Sequence, residues 1–175
     1  MPDLGRVLLF TGDGKGKTTA ALGMALRASG HGMRIKIVQF IKAAAMTGEV
    51  AAVQKLAGVE FIQTGLGFVP PADHPDFYSH QDAAAHALKI AAEAIQSKAY
   101  DMIILDEICN VVDKKLIRED DVLAMIRSAG SSLCLVLTGR NASDGLIAVA
   151  DTVTIMQCRK HGFQKNIPAQ KGVEY

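Results

Sequence analysis

A glycine-rich turn followed by one lysine and two threonines carries the clearest chemistry in this sequence. Its residues are Gly12, Asp13, Gly14, Lys15, Gly16, Lys17, Thr18 and Thr19. Alternating glycines let successive backbone N–H groups point inward, and a helix that starts near Lys17 adds its positive dipole end. Lys17 supplies a charge for a phosphate, and the Thr18 hydroxyl can ligate Mg²⁺. The turn is therefore predicted to bind a nucleoside triphosphate, with ATP the expected one.

This turn departs from the strict phosphate-loop pattern at one position. Counting back five residues from Gly16 reaches Thr11, where the pattern has glycine. The alternative is a glycine-rich turn that binds no ligand. The Gly-Lys-Thr-Thr ending, the apolar run before it and the helical pattern after it all favour phosphate binding in a modified loop.

Two acidic residues offer the second half of a triphosphate site. Asp106 and Glu107 end the apolar run that begins at Met102. A carboxylate at the carboxyl end of a buried strand can reach Mg²⁺ directly or through water. One of the two is expected to do so. The alternative is a pair of solvated acids that begin a turn.

Two cations follow other predicted strands. Because ligands bind open parallel sheets at the carboxyl ends of strands, Lys42 and Arg140 are candidates to neutralise phosphate charge. Each could instead be a solvated surface cation. No Ser-His-Asp or Cys-His arrangement is suggested, so the chain offers phosphate chemistry and little nucleophilic machinery of its own.

Short aliphatic runs alternate with longer Ala-rich stretches of helical periodicity. The predicted strands are Val7–Thr11, Ile35–Ile41, Val59–Gln63, Met102–Asp106, Leu133–Thr138 and Thr152–Ile155. The predicted helices are Lys17–Ser29, Glu49–Leu56, Ser79–Lys98, Arg118–Arg127 and Ser143–Val149. Nearly continuous apolar strands are typical of a parallel sheet covered on both faces. The fold class is thus α/β, a P-loop NTPase-like three-layer domain with a mostly parallel central sheet.

Length and composition indicate one ordinary globular domain over residues 1–175. The segment Gly65–Phe77 is predicted to be a loop, and 160–175 an irregular tail. A net charge of +1 gives no support for nucleic-acid or membrane partners, and no apolar run approaches the roughly 20 residues of a spanning helix. Met1–Arg6 does not resemble a signal peptide, and Cys109, Cys134 and Cys158 suit reduced, buried thiols. The expected location is the cytoplasm.

The loop runs Thr11-Gly12-Asp13-Gly14-Lys15-Gly16-Lys17-Thr18-Thr19, with threonine at the position where the pattern has glycine. With this odd first position it resembles the loop of the P-loop corrinoid adenosyltransferases, which act on ATP and cob(I)alamin or cob(I)yrinic acid a,c-diamide. The likeness continues through Gly30–Gly32, Val38–Lys42, Gly58–Phe61, Leu105–Glu107, Leu137–Arg140, Ala150–Val153, Lys160-His161 and Ala169–Tyr175. It covers nearly the whole chain in the family's order.

The resemblance implies transfer of the 5′-deoxyadenosyl group of ATP to Co(I) of a corrinoid, with release of triphosphate. Such a reaction needs no protein nucleophile, because Co(I) is itself strongly nucleophilic. By the same resemblance ATP binds reversed relative to P-loop kinases, and Thr18 and Glu107 match the Mg²⁺ positions, with Mn²⁺ as a substitute. Catalytic roles fall on Lys17, Thr18 and Glu107. A flavoprotein-type reductant for Co(II) and a homodimer are also implied.

The sequence departs from the family pattern in two places. Some members place two aromatics after the third strand. Phe68, beside Gly67, matches the first, but Pro70 stands where a tryptophan would. Phe68 and Gly67 are therefore corrinoid-binding candidates, the alternative being that Phe68 only anchors its loop by packing inward. An N-terminal helix of longer relatives is expected to be absent. Two other functions stay open, a P-loop kinase for a small acceptor and a non-catalytic ATP-binding sensor.

Overall fold

The computed structural model describes residues 5–43 and 47–173 of the chain. Of the N-terminal residues Met1–Arg6, for which expectations were stated, Met1–Leu4 lie outside these ranges. Glu174 and Tyr175, the last two residues of the closing motif, also lie outside the described residues.

Six strands form one sheet. They are β1 (Val7–Thr11), β2 (Ile35–Gln39), β3 (Val59–Gln63), β4 (Met102–Asp106), β5 (Cys134–Thr138) and β6 (Thr152–Ile155). The order across the sheet is β3-β2-β4-β5-β1-β6, and every neighbouring pair is parallel. The predicted α/β class is confirmed, and the sheet is entirely parallel. Strand β2 ends at Gln39, two residues before the predicted end.

Helices connect the strands. They are α1 (Lys17–Gly30), α2 (Gly48–Val53), α3 (Phe77–Ser97), α4 (Ile108–Asp113), α5 (Glu119–Arg127) and α6 (Asp144–Val149). Helix α4 was not predicted from the sequence. It has only six residues, and Ile108, Val111 and Val112 favour strands over helices. Its Ile108, Cys109 and Val111 are fully buried, so packing rather than propensity determines this helix.

The side chains of the inner strands alternate between two cores. Ile104 of β4 packs with Ala21 and Ala25 of α1 and with Val53 of α2. Leu105, the next residue, points to the other face, where α3, α5 and α6 pack. The molecule therefore has three layers, and the carboxyl ends of all six strands lie at one edge.

Two expectations about peripheral residues need correction. Cys109 is buried, but Cys134 is only half-buried and Cys158 is exposed, because Cys158 follows the edge strand β6; all three are free. The predicted irregular tail contains a short 3₁₀ helix, Gly162–Lys165, capped by His161 Nδ1, which accepts from the Phe163 N–H at 3.1 Å. Among the described residues, no helix is long and apolar enough to cross a membrane.

Candidate phosphate and metal site

The glycine-rich turn joins the end of β1 to the start of α1. Gly12 has φ 96° and Gly16 has φ 108°, a region of backbone conformation that side chains disfavour. Gly16 stands immediately before α1, so the positive end of the helix faces the turn. Thr11 is buried, and its hydroxyl accepts from the Ala142 N–H at 3.3 Å. The threonine at the expected glycine position therefore ties β1 to the segment after β5.

The chain after β6 crosses directly against this turn. The Met156 carbonyl accepts from the Gly14 N–H at 2.7 Å, and the Met156 N–H donates to the Thr11 carbonyl at 2.8 Å. A Cβ added at Gly14 would lie 2.8 Å from the carbonyl carbon and oxygen of Met156. Gly14 is therefore needed for this close approach, in addition to any contact with phosphate. The Gly14 N–H therefore donates to the protein itself and is not available to a bound anion.

Lys17 is held against its own turn. Its Nζ donates to the carbonyls of Gly12 at 2.6 Å and of Gly14 at 2.8 Å. None of the described acidic residues forms a salt bridge with it. Burial, and then the positive charge of Arg140, lower the pKa of Lys17 below its ordinary value. This ammonium group thus has a buried charge without an anionic partner, which is the state that a triphosphate would relieve.

Asp106 is the buried centre of a hydrogen-bonded cluster. Its Oδ1 accepts from the Thr18 hydroxyl at 2.9 Å and from the Thr138 hydroxyl at 2.7 Å. Its Oδ2 accepts from Gln39 Nε2 at 2.8 Å. Both carboxylate oxygens are therefore occupied by protein donors. Because the Thr18 hydroxyl gives its proton to Asp106, its lone pairs remain available to a cation.

Glu107 has the opposite character. Its Oε2 is buried and, among the described residues, has no hydrogen-bond partner. Its φ of 68° is a left-handed conformation that costs roughly 1–3 kcal/mol in a non-glycine residue. Burial, and then the charge of Asp106, raise the pKa of Glu107, although Lys17, Lys42 and Arg140 oppose this. An unpaired carboxylate held by a strained backbone fits a divalent cation that prefers oxygen ligands.

The other predicted phosphate-site residues surround the turn at different distances from its centre. Arg140 is exposed, and its charge acts on both Lys17 and Glu107. Lys42 is bound to Glu49 at 3.1 Å, and although burial opposes it, the Glu49 backbone N–H and Lys42 keep the pKa of Glu49 below its ordinary value. The exposed members of the turn itself are Asp13, Lys15 and Thr19. The Lys15 Nζ lies 3.5 Å from the Val173 carbonyl.

The predicted loop occupies residues 64–76, and Phe77 begins α3. Gly67 has φ 94°, and its N–H donates to the Ile41 carbonyl at 2.8 Å. Phe68 is 89 % exposed, whereas Val69 is buried. Val69 is therefore the anchor of this loop, and the alternative that assigned anchoring to Phe68 is wrong. The loop presents an aromatic ring to solvent beside the segment that carries Lys42.

A cleft of about 740 Å³ opens from Thr18, between α1, α2 and the tail. Thr18, Thr19 and Lys42 line its end at the turn. Its walls are mainly apolar side chains of α1 and α2, and the tail closes it with His161, Gly172 and Val173. A volume of this size suits a small-molecule ligand.

Three polar residues around the site were not predicted from the sequence. Gln39 and Thr138 are the polar last residues of largely apolar strands, and both bond to Asp106. That pattern was a usable signal. Asn110 was also missed; its Oδ1 accepts from the Arg140 N–H at 2.6 Å and shapes the loop after β5. No sequence signal marks it, since it lies in the unpredicted helix α4.

Comparison with known proteins identifies the family to which the chain is similar. Residues 3–175 match the family described as ATP:corrinoid adenosyltransferase BtuR/CobO/CobP. The chain is 40% identical over 172 residues to a corrinoid adenosyltransferase of Pseudomonas aeruginosa, covering 98% of this chain and 84% of that protein. It is 33% identical over 173 residues to the corrinoid adenosyltransferase of Escherichia coli K12, covering 98% and 86%.

Solved structures share the fold at low sequence identity. The flagellar accessory protein FlaH of Methanocaldococcus jannaschii is 14% identical, with a TM-score of 0.61 over 87% of this chain and 71% of that chain. A KaiC-like protein of Pyrococcus horikoshii is 17% identical, with a TM-score of 0.61 over 90% and 75%. These two similarities concern the fold alone.

Proposed function

Because the chain belongs to the family of ATP:corrinoid adenosyltransferases, we propose that it transfers the 5′-deoxyadenosyl group of ATP to the Co(I) centre of a corrinoid. In this reaction Co(I) gives two electrons to form a bond with the ribose 5′ carbon. The bond from that carbon to oxygen breaks, and its electron pair leaves with inorganic triphosphate. The observation in the structure that favours this reaction is the mainly apolar cleft that opens from the glycine-rich turn.

The protein's own residues would act mainly on the leaving group. Triphosphate oxygens would replace the carbonyl partners of Lys17, so that its buried charge meets the negative charge that grows as triphosphate departs. Backbone N–H groups of the turn and of the start of α1 would bind the same phosphates. Arg140 and Lys42 would contribute at longer range, and Lys42 would exchange Glu49 for the ligand.

Thr18 and Glu107 would hold Mg²⁺, which supplies charge neutralisation on the triphosphate when it is bound. The donor set fits, because Glu107 Oε2 is buried with no partner in the part of the chain that the structure describes, and the Thr18 oxygen can still accept. Asp106 would orient Thr18 and not bind the ion itself, since its two oxygens already accept three hydrogen bonds. Mn²⁺ would serve in place of Mg²⁺, as it also takes oxygen ligands.

The corrinoid would lie over the apolar cleft and beside the Phe68 ring. The cobalt must reach the ribose 5′ carbon, so the adenosine has to point from the turn into the cleft. This is the reversed orientation that the family resemblance implies. Phe68 and Gly67 would then contact the corrinoid from the loop after β3, where the exposed ring is available for an apolar macrocycle.

We place this enzyme in the cytoplasm, as one domain over residues 1–175 that works as a homodimer with a flavoprotein-type reductant for Co(II). Co(I) survives only under reducing conditions, which suits a chain whose three cysteines are free. The exposed Ile155 on the edge strand β6, together with Phe163 of the tail, offers apolar surface for a second copy. Light scattering on the purified protein tests the dimer.

Product analysis tests the reaction directly. The purified protein is mixed with Mg²⁺, ATP and chemically reduced cobalamin, Co–C bond formation is followed by absorbance, and the phosphate product is separated by chromatography. We expect adenosylcobalamin and triphosphate in equal amounts. Formation of ADP would instead identify a small-molecule kinase. ATP binding without any turnover would identify a nucleotide sensor.

A further inference from the structure

A row of polar side chains crosses four adjacent strands at the edge that carries the site. Gln63, Gln39, Asp106 and Thr138 are the last residues of β3, β2, β4 and β5. The strand register pairs Gln39 with Gln63 on one side and with Asp106 on the other. Register pairing of β4 with β5 ends at Leu105 and Leu137, so Asp106 and Thr138 occupy the next positions. The fold thus places these four side chains next to one another.

Hydrogen bonds along this row converge on Asp106, from Gln63 and Gln39 on one side and from Thr138 on the other. Gln63 Nε2 donates to Gln39 Oε1 at 2.9 Å, and Gln39 Nε2 donates to Asp106 Oδ2 at 2.8 Å. The carboxylate of Asp106 accepts at both oxygens, so the Gln39 amide must turn its nitrogen toward Asp106. Its oxygen then faces Gln63 and accepts from that residue. Gln39 is 1 % exposed, so water does not compete for either group.

The bond from Gln39 determines how the Asp106 carboxylate is rotated. Oδ1 accepts from the hydroxyls of Thr18 and Thr138, and Oδ2 accepts only from Gln39 among the described residues. Without Gln39, Oδ2 would be a buried acceptor with no partner, and the carboxylate would be free to turn. The Thr18 hydroxyl, which relies on Oδ1, would then lose its fixed orientation.

We propose that Gln39, supported by Gln63, is a positioning residue that sets the affinity of the site for metal-bound triphosphate. It acts through Asp106 on the Thr18 oxygen and touches neither substrate. This inference rests on the proposed function in one respect only, the assignment of Thr18 as a ligand of Mg²⁺. It assigns a role to two residues that the phosphate-loop pattern does not include.

The experiment measures ATP binding and needs no corrinoid. Calorimetric titrations with ATP are run on wild type, Gln39→Met and Gln63→Met across a series of Mg²⁺ concentrations and in EDTA. Gln96→Met is the matched control, because Gln96 is exposed on α3 and does not belong to the polar row. Methionine keeps the length of glutamine and removes its donor and acceptor.

For Gln39→Met we expect the half-saturating Mg²⁺ concentration to rise roughly 10- to 100-fold, the usual cost of losing an outer partner of a metal ligand. Affinity for ATP in EDTA should stay at the wild-type value, whereas general damage to the fold would lower both. Gln63→Met should show a smaller rise that still exceeds that of Gln96→Met.

An unchanged Mg²⁺ dependence in folded Gln39→Met would overturn the proposal. If Gln39→Met does not fold, Gln63→Met decides alone, and a Mg²⁺ dependence equal to that of Gln96→Met is then the contrary result. Failure of the proposed function looks different. In that case wild type binds Mg-ATP normally and forms no Co–C bond, and the roles of Gln39 and Gln63 are unaffected.

Discussion

Replacing Glu107 by glutamine should stabilise the ligand-free protein and remove its response to magnesium. The wild-type carboxylate has a buried Oε2 without a partner among the described residues. Leaving such a polar atom unsatisfied costs about 1–3 kcal/mol, and more when it is charged. The neutral amide removes the charge but still leaves one polar atom unpaired, so we expect a gain of about 1 kcal/mol. For a chain of this length that raises Tm by about 2–4 °C.

The size of this gain should depend on pH in a definite direction. The pKa of Glu107 is raised above its ordinary value of 4.5, chiefly by burial and then by Asp106. The folded protein therefore holds this proton to higher pH than the unfolded chain does. The protonated Glu107 side chain makes its full contribution to the free energy of unfolding below about pH 4.5, and this contribution is lost as the pH rises through the folded-state pKa. The difference in Tm between Glu107→Gln and wild type should thus grow with pH.

The assay is thermal unfolding in EDTA, then in EDTA with ATP, and then with ATP and excess Mg²⁺. A ligand present at 100 times its Kd stabilises the folded state by about 2.7 kcal/mol, or about 5–11 °C here. Wild type should gain this increment, and Glu107→Gln should gain little beyond the effect of ATP alone. Glu93→Gln, on the exposed face of α3, is the control and should have the same Tm as wild type in each of these conditions. An equal Mg²⁺-dependent increment in Glu107→Gln would refute the assignment of Glu107 as a metal ligand.

Three further substitutions test other parts of the site. Lys17→Ala should lower turnover by about two orders of magnitude or more through weaker stabilisation of the leaving triphosphate; near-normal turnover in a steady-state assay would contradict the mechanism. Phe68→Ala should raise the KM for the corrinoid roughly tenfold, because truncating a contact aromatic usually costs over 1 kcal/mol. It should leave the KM for ATP and the Tm unchanged, because the ring is 89 % exposed. A corrinoid KM equal to that of wild type would remove Phe68 from the site. Gly14→Ala should lower the free energy of unfolding in urea by about 1–3 kcal/mol, because its Cβ would lie 2.8 Å from the Met156 backbone. Gly130→Ala has open space around its Cβ and should cost far less. Equal costs would count against a close contact between Gly14 and Met156.

Much of the architecture is readable from local patterns. Strands β1, β3, β4 and β6 have the predicted bounds, because continuous aliphatic runs with turn residues at both ends are compatible with few other structures. The phosphate turn is equally local, since its glycines, lysine and threonines are consecutive. Helix α4 was missed because six residues with strand-favouring side chains carry no helical periodicity.

The difference between Asp106 and Glu107 is not local. As adjacent acids after the same strand they are equivalent by chemical type, and only the family resemblance favoured Glu107. In the fold, strand register brings Gln39 and Thr138 to Asp106, and their donors occupy its oxygens. Glu107 has a left-handed backbone, and its buried Oε2 has no donor among residues 5–43 and 47–173. Which acid is free for a cation depends on partners 32 and 67 residues away along the chain.

The sequence by itself determined that a triphosphate site follows the first strand and that the chain resembles corrinoid adenosyltransferases, because those signals are carried by consecutive residues. The tertiary structure alone decided that Val69 anchors the loop and leaves Phe68 exposed, that Met156 clamps Gly14, and that a polar row supports Asp106. The physical reason is the same in each case. Burial and hydrogen-bond partners are properties of packing between distant segments, and no window of the sequence contains them.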